Sequence, residues 1–345
     1  MTISRQKSLG STRISTLLAY LSMMSILACV AGCTKAQGDS PDDLIAVGRL
    51  LFEEPGLSAD GNVSCASCHQ RAHAFSDPRP VSIGVAGKMG ARNAPSLLGL
   101  PDQGDVFFWE GRERALENVV LQPFTNPVEM GLRDQEALLG KIRERNLYAR
   151  LAAASGTNEP GPKEVTAALT AYVRSLSAAP TRYEQWRRQG TALPDGAAEG
   201  MKLFAGKAQC ANCHRLDASG SLQDGRFHHA GVGFQKIAGN LQSAIQTLDE
   251  TERAGKPAGV AVMTHTEVAE LGHFIVSRRA ADIGAFRTPS LRHVGLTAPY
   301  MHDGSVDTLQ AAIEHELYYR GLADGKPIAL TVQEQRQLLA FLQTL

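Results

Sequence analysis

Apolar residues recur at helical spacing in six segments of the chain, and this pattern predicts a helical protein. The segments are 41–53, 134–154, 163–178, 196–205, 307–320 and 331–344. Ser40 followed by Pro41 is typical of a helix start, and Thr331 is a second candidate N-cap. Alternating patterns typical of strands are few. We therefore predict an all-α fold, with a junction in the Pro- and Gly-containing segment 180–198.

The chain repeats the same order of features twice. Each repeat runs through a helix, a Cys-x-x-Cys-His sequence, a long loop, a Pro-Ser-Leu turn, a Gly turn and a second helix. The matched segments are 46–52 with 199–204, 92–97 with 287–291, and 109–111 with 302–304. A chain of 345 residues is long enough for two cores. We therefore predict two domains, 34–190 and 191–345.

The two Cys-x-x-Cys-His sequences carry the strongest chemical signal in the chain. They consist of Cys65, Cys68 and His69, and of Cys210, Cys213 and His214. At helical spacing, the two thiols and the imidazole share one face, so the thiols can bond the haem vinyl carbons while the imidazole binds the iron. A zinc site or two redox dithiols are the alternatives. The motifs favour two covalent haem c groups, with His69 and His214 as proximal ligands.

The first 33 residues have the features of a bacterial export signal. Basic residues precede an apolar stretch over 14–30, and the sequence Val-Ala-Gly-Cys that ends at Cys33 resembles a lipobox. We expect a lipoprotein signal peptide over 1–33, with a lipid anchor on Cys33 at the periplasmic side of the envelope. A plain signal peptide or a membrane anchor is the alternative. No later segment has the apolar length of a membrane span.

The charge composition argues against general nucleic-acid binding. The chain has 35 basic and 35 acidic residues, a formal net charge of zero, so it has no basic excess to neutralise phosphates. Only 6% of the residues are aromatic. Two haem groups would add large apolar surfaces to the cores of such a chain.

Several sequence blocks resemble the bacterial diheme cytochrome c peroxidase family, which includes MauG. The blocks are 65–69, 90–95, 108–112, 126–130, 227–231 and 297–304. The resemblance covers nearly all of residues 41–345. It implies two cytochrome c-like domains, of which the first holds a haem that reacts with hydrogen peroxide and the second an electron-transfer haem.

The resemblance also implies roles for individual residues. His69 is the implied proximal ligand of the peroxide-reacting haem, and Glu129 is the implied acid–base group on its distal side. Trp109 is the implied electron relay between the haems, and His214 binds the second iron. Without this context, Glu129 would fit a surface carboxylate and Trp109 a core residue. Three implied ligands of a calcium ion between the haems are the Asn93 side chain and the carbonyls of Thr297 and Pro299.

The chain departs from the family at two positions near the first haem. Val85 stands where the peroxidases have a displaceable histidine ligand, and the chain has no histidine between Ala74 and Cys213. We therefore expect the first haem to be open without prior reduction, as in MauG. Val119 stands where the family usually has a distal glutamine, so one hydrogen-bond donor to peroxide is missing.

The sixth ligand of the second haem differs within the family, being Met in peroxidases and Tyr in MauG. Counting without gaps places Glu316 at this position, and a carboxylate is a poor ligand for a low-spin haem c. An insertion of two residues would place Tyr318 there instead. We favour Tyr318, with Met301 and His315 as alternatives.

Three functions are compatible with the sequence. The favoured one is a peroxidase that takes electrons from a small c-type cytochrome or cupredoxin and reduces hydrogen peroxide to water. The second is a MauG-like oxidase that modifies residues of a partner protein. The third is a diheme electron carrier without enzymatic activity. An open first haem and Glu129 favour an enzyme over a carrier.

Overall fold

The computed structural model of the chain describes Thr2 and residues 41–100, 106–177, 179–217 and 220–345. Apart from Thr2, the predicted signal peptide 1–33 lies outside these residues, as do the predicted lipid site Cys33 and the predicted N-cap Ser40. Within the described ranges, no helix is long and apolar enough to cross a bilayer.

The first half of the described chain is helical, as predicted. Its α-helices, α1 to α7, are Pro41–Glu53, Cys65–Cys68, Leu116–Val119, Gln122–Thr125, Gln135–Glu144, Leu147–Ser155 and Pro162–Ser175. The predicted helix 134–154 is divided into α5 and α6, because Asn146 adopts a left-handed φ of +56°, which Asn tolerates better than most residues. Asp134 caps α5, since its Oδ1 accepts a hydrogen bond from the Ala137 amide at 2.8 Å.

The second half is also helical and contains one small antiparallel sheet. Its α-helices, α8 to α16, are Arg182–Gln189, Ala197–Ala205, Phe234–Ile237, Leu241–Arg253, Ala258–Thr264, Thr266–Ala269, Phe274–Ser277, Leu309–Ala323 and Val332–Leu342. Strand β1 is Phe227–His229 and pairs with β2, Ala285–Arg287. Thr331 caps α16 as predicted, because its Oγ1 accepts a hydrogen bond from the Glu334 amide at 3.2 Å.

Helix α8 occupies part of segment 180–198, which the sequence predicted to be a junction. Its Tyr183 ring stacks on Trp186 with centroids 5.8 Å apart and meets the Phe341 ring of α16 edge-on at 5.6 Å. Residues of α8 therefore pack with the core of the second half. The division into domains at residue 190 stays a prediction.

One type of helix crossing occurs in both halves and depends on a glycine. Helix α1 crosses α7 at Gly48, where a Cβ would overlap the carbonyl oxygen of Ala168. Helix α9 crosses α16 at Gly200, where a Cβ would overlap the carbonyl oxygen of Gln337. Both glycines belong to the matched segments 46–52 and 199–204, so the sequence repeat is also a structural repeat.

An aromatic pair lies one turn beyond each of these glycines. The Phe52 ring of α1 meets Tyr172 of α7 at a tilt of 60°, with centroids 5.1 Å apart. The Phe204 ring of α9 meets Phe341 of α16 at 68° and 5.3 Å. The edge-to-face geometry is favourable for aromatic rings, so each pair stabilises its crossing.

The buried apolar residues form three clusters within the described chain. The first contains buried residues between Val47 and Leu176, and the second those between Tyr183 and Leu345. A third cluster joins helices α11 to α14 and packs against Ala91 of the first half. Segment 234–277 supplies most of this third cluster, and no helix was predicted there from the sequence.

Candidate functional site

The first Cys-x-x-Cys-His motif holds its histidine in a defined orientation. Cys65 and Cys68 lie on the single turn of α2, and the His69 amide donates to the Cys65 carbonyl at 2.9 Å. His69 Nδ1 lies 3.0 Å from the Phe75 carbonyl oxygen. A carbonyl only accepts, so Nδ1 carries the proton and Nε2 keeps its lone pair for a metal. Burial also lowers the pKa of His69, which favours this neutral form.

The second motif repeats this arrangement. The His214 amide donates to the Cys210 carbonyl at 2.9 Å, and His214 Nδ1 lies 3.1 Å from the Leu222 carbonyl oxygen. Burial lowers the pKa of His214 to about 4, so the ring is neutral near pH 7. Both motifs therefore present two cysteines and an imidazole Nε2 lone pair.

A cavity of about 330 Å³ lies beside the second motif. Cys210, Cys213 and His214 line it together with apolar residues that include Phe204 and Leu338. A mostly apolar cavity with a few convergent polar groups is typical of a cofactor site. Two thiols and an imidazole with a free lone pair are the groups that attach haem c, so the residues present fit this cofactor.

Backbone contacts fix the segment that carries Glu129. The Val85 amide donates to the Glu129 carbonyl at 2.9 Å, and the Val128 amide donates to Asn126 Oδ1 at 3.0 Å. A Cβ at Gly84 would overlap the Val128 carbonyl oxygen. Loop 84–88 therefore packs directly on segment 126–130, which limits movement of Glu129.

The Glu129 carboxyl lies in an environment that favours its neutral form. The side chain is only partly accessible to solvent, and burial raises its pKa to about 7. The positive charge of Arg112 acts in the opposite direction. Burial raises the pKa of the Cys65 and Cys68 thiols, and the charge of the nearby Glu129 adds a smaller rise, so Glu129 lies close to the first motif. At neutral pH this carboxyl can therefore both accept and donate a proton beside the first motif.

The two valines that depart from the family pattern contribute apolar contacts. Val85 is 5% exposed and belongs to the first apolar cluster, and Val119 packs against the same cluster. Gly131 lies against Val85, since a Cβ there would come within 2.8 Å of Val85 Cγ2. Loop 84–88 thus presents an apolar side chain at position 85.

A buried ionic group near Glu129 was not foreseen from the sequence. Glu110 is fully buried and pairs with Arg112, while Arg92 Nη2 lies 3.8 Å from Glu110 Oε2. The Arg112 guanidinium also lies over the Phe108 ring, 3.4 Å from its centroid. Two guanidinium groups share one carboxylate, so the group carries a net positive charge.

Trp109 lies in the wall of the cavity at the second motif. Its Nε1 donates to the Asn93 carbonyl at 2.9 Å, and its own carbonyl accepts from the Arg287 amide at 2.8 Å. The His302 ring meets the indole edge-on at 6.5 Å. Trp109 is thus a first-half residue held rigidly beside the second-half cavity.

His302 belongs to a charged network that was not predicted from the sequence. Its His302, Glu270 and Asp303 side chains are buried, and its Lys236 side chain is partly exposed. His302 Nε2 lies 2.7 Å from Glu270 Oε2, and the His302 ring stacks on Phe286 with centroids 3.7 Å apart. Lys236 Nζ bridges Glu270 Oε1 at 3.0 Å and Asp303 Oδ2 at 2.7 Å. Glu270 lies far from His302 in the sequence, so no local pattern indicates the pair.

The three predicted calcium ligands line the same cavity. Asn93, Thr297 and Pro299 all contribute to its wall. Asn93 Nδ2 donates to the carbonyls of Asp77 and Arg79 at 3.3 and 2.9 Å, which fixes the orientation of the amide. The structure brings these three residues together, and calcium itself stays a prediction.

The preference for Tyr318 as sixth ligand requires correction. Tyr318 is 72% exposed and lines a surface groove, not the cavity at the second motif. His315 is also turned away, because its Nε2 lies 2.6 Å from the Ala230 carbonyl oxygen. Met301 and Glu316 do line the cavity. The structure therefore does not place Tyr318 at this cavity, whereas Glu316, the residue reached by counting without gaps, lines it together with Met301.

Comparison with known proteins identifies relatives along most of the chain. A family model described as di-haem cytochrome c peroxidase matches residues 42–192. The chain is 32% identical over 311 residues to the methylamine utilization protein MauG of Methylorubrum extorquens, covering 87% of this chain and 77% of that protein. It is 30% identical over 311 residues to the cytochrome-c peroxidase IdrP2 of Denitromonas iodatirespirans, covering 88% and 81%.

A solved structure extends this similarity to the fold. A MauG-like protein associated with microbial copper homeostasis is 29% identical and superposes with a TM-score of 0.67, covering 89% of this chain and 90% of that one. The resemblance inferred from the sequence blocks and the prediction of a helical fold are thereby confirmed.

Proposed function

Because the chain belongs to the di-haem cytochrome c peroxidase family, we propose that it holds two covalent haem c groups in two cytochrome c-like domains and reduces hydrogen peroxide at the first. The cysteines and proximal histidines of the two motifs would hold the haems. The glycine crossings at Gly48 and Gly200 support the two-domain organisation, because each half contains one.

The partly buried Glu129 carboxyl beside the first motif carries this proposal. Reduction of peroxide is H2O2 + 2H⁺ + 2e⁻ → 2H2O, and the haems supply the electron transfer. The carboxylate form of Glu129 would take a proton from one peroxide oxygen, and the carboxyl form would return it to the other oxygen, which leaves as water when the O–O bond breaks. The remaining oxygen would take up the two electrons and two further protons and leave as the second water. A pKa of about 7 suits both steps, because a general acid–base is most effective when its pKa is near the working pH.

Electrons from a small c-type cytochrome or cupredoxin would enter at the second haem and pass Trp109. The Trp109 indole lies in the wall of the second cavity and is fixed through its Nε1 hydrogen bond. We also assign the oxygen atoms of Asn93, Thr297 and Pro299 to a calcium site beside this path. Cys33 would carry the lipid that holds the protein at the periplasmic side of the envelope.

A MauG-like oxidase is the second candidate function. Val85 favours it, because the first haem then lacks the histidine that blocks it in the peroxidases. In this function the oxidising equivalents of peroxide would pass through the second haem to residues of a partner protein.

Steady-state kinetics of the as-isolated ferric holoprotein distinguish these functions. Reduced small cytochrome c is mixed with the protein and hydrogen peroxide, without pre-reduction of the protein. Rapid oxidation of the cytochrome supports the peroxidase. Negligible turnover with a long-lived oxidised haem spectrum supports the MauG-like function. Absence of both turnover and spectral change refutes both and leaves an electron carrier.

A further inference from the structure

Helix α15 forms one wall of the cavity at the second Cys-x-x-Cys-His motif. Its cavity-lining residues recur at helical spacing and are Leu309, Ala312, Ile313, Glu316, Leu317 and Arg320. Four of them are apolar. The Arg320 guanidinium has no free lone pair. Glu316 is therefore the residue of this wall that has an atom able to bind iron.

The regular helix also explains why Tyr318 is excluded. Helix α15 runs without interruption from Leu309 to Ala323. A residue two positions after Glu316 is rotated by about 200° around the helix axis. Tyr318 consequently lies on the outer face, where it lines the surface groove with Gly321 and Leu322.

Three cavity-lining histidines and the Tyr300 hydroxyl are already hydrogen-bonded. The bonds join His228 Nε2 to Asp224 at 2.7 Å, His229 Nε2 to the Ile283 carbonyl at 3.1 Å, Tyr300 Oη to the Val294 carbonyl at 2.9 Å, and His302 Nε2 to Glu270 at 2.7 Å. Binding iron through any of these atoms would break a hydrogen bond that the structure contains.

Asp324 and Met301 are the remaining competitors for the iron. Asp324 follows the end of α15 and is exposed to solvent, and Met301 lies on a different wall. The carbonyl of the next residue, His302, accepts a hydrogen bond from the Asn93 amide at 2.9 Å. Asn93 in turn binds the Trp109 indole through its carbonyl. Met301 is thus tied to the wall formed with the first half, whereas Glu316 projects from α15.

A neighbouring cation lies beside Glu316 and opposes the rise in pKa that burial causes in this carboxyl. Arg320 Nε lies 4.0 Å from Glu316 Oε2, one helical turn away. The Arg320 guanidinium is itself fixed, because its Nη2 donates to the His229 carbonyl at 2.9 Å. The oxygens of the Glu316 carboxyl offer the lone pairs that a metal ligand needs.

We propose that the Glu316 carboxylate is the sixth ligand of the second haem iron, which this weak-field oxygen ligand would leave less strongly low-spin than Met or His would. This inference rests on the proposed function, in that it requires a haem at the second motif. An anionic oxygen ligand is hard and stabilises ferric over ferrous iron, whereas Met ligation raises the reduction potential. The second haem would accordingly have a lower potential than a haem with His and Met ligands.

The test compares holoprotein variants by electron paramagnetic resonance, absorption spectroscopy and redox titration. The variants are Glu316→Gln, Glu316→Met, Tyr318→Phe and Met301→Leu, each checked for two haems per chain. The signals of the first haem serve as an internal reference. We expect Glu316→Gln to change the ferric signal of the second haem and to raise its midpoint potential. Glu316→Met should add the far-red absorption band of a methionine-bound ferric haem c, while Tyr318→Phe and Met301→Leu match the wild type.

The inference is overturned if both Glu316 variants keep the wild-type signal of the second haem, or if Tyr318→Phe or Met301→Leu alters it. Peroxide turnover is measured separately on the wild type. A protein without turnover that still shows the Glu316-dependent signal refutes the peroxidase and supports the ligand. A protein with turnover and no Glu316-dependent signal supports the peroxidase and refutes Glu316 as the ligand.

Discussion

Replacement of Glu129 by glutamine tests the acid–base role directly. The substitution keeps the size of the side chain and removes its titration. Burial moves the pKa of Glu129 from an ordinary value of 4.5 to about 7. At 1.36 kcal/mol per unit, ionisation costs roughly 3 kcal/mol more in the protein than in water. Because general acid–base catalysis typically contributes about 10²- to 10⁴-fold, we expect Glu129→Gln to slow the reaction with peroxide by a factor in that range.

The pH dependence of the reaction with peroxide shows which protonation state of Glu129 is active. The carboxylate form of Glu129 predominates above pH 7, and this form takes the first proton from peroxide. Stopped-flow mixing of the ferric holoprotein with peroxide should give a rate that rises through an apparent pKa of about 7 in the wild type and is flat in Glu129→Gln. Glu136→Gln is the matched control, because the Glu136 side chain is 71% exposed. A Glu129→Gln protein with the wild-type rate and pH profile would refute the reasoning.

The same carboxyl contributes a pH-dependent term to stability. Between pH 4.5 and 7 the native state binds more protons at Glu129 than the unfolded state does, so this term weakens the fold as the pH rises. Relative to Glu129→Gln, the wild type should lose roughly 3 kcal/mol of unfolding free energy across this interval. Urea titrations of both proteins at several pH values measure the difference, and parallel curves would contradict it.

Three further substitutions test other parts of the structure. Trp109→Phe removes the hydrogen bond to Asn93. We expect it to slow oxidation of the reduced donor cytochrome without changing the rate at which the ferric protein reacts with peroxide. Trp186→Phe, outside the cavity, should change neither rate. Gly200→Ala forces a Cβ against the Gln337 carbonyl and should lower the free energy of unfolding by about 1–3 kcal/mol in urea, whereas Gly140→Ala, with open space around it, should not lower it. Glu270→Gln removes the charge of a fully buried carboxylate that binds Lys236 and His302, and should lower the free energy of unfolding by about 1–3 kcal/mol, while Glu267→Gln, partly exposed, should cost little. An unfolding free energy of Gly200→Ala or Glu270→Gln equal to that of its control would contradict the corresponding prediction.

Local signals allowed much of the fold to be predicted. The helices that close each half carry their own periodicity and caps, as Thr331 does for α16. Segment 234–277 was missed because it has no counterpart in the first half, and its apolar residues pack mainly on one another and on Ala91. The sequence repeat therefore predicted the helices shared by the two halves but not those of segment 234–277.

The candidate site was predictable where its residues are close together in the sequence. Both Cys-x-x-Cys-His motifs fall within five residues, and their histidines have the geometry expected of iron ligands. The Glu270–His302 pair spans 32 residues and depends on tertiary packing. Tyr318 was favoured over Glu316 because a phenol is the better iron ligand. In the uninterrupted helix α15, however, Tyr318 lies on the face opposite to Glu316.

The two proximal histidines are equivalent in their outer hydrogen bonds. Both donate from Nδ1 to a backbone carbonyl, at 3.0 Å for His69 and 3.1 Å for His214. A neutral carbonyl pulls on the imidazole proton less than a carboxylate would, so neither ring acquires imidazolate character. Each histidine would thus push the same electron density onto its iron. Any difference in driving force between the two haems would then originate from groups other than these hydrogen bonds, among them Glu129 beside the first motif and Glu316 in the cavity of the second.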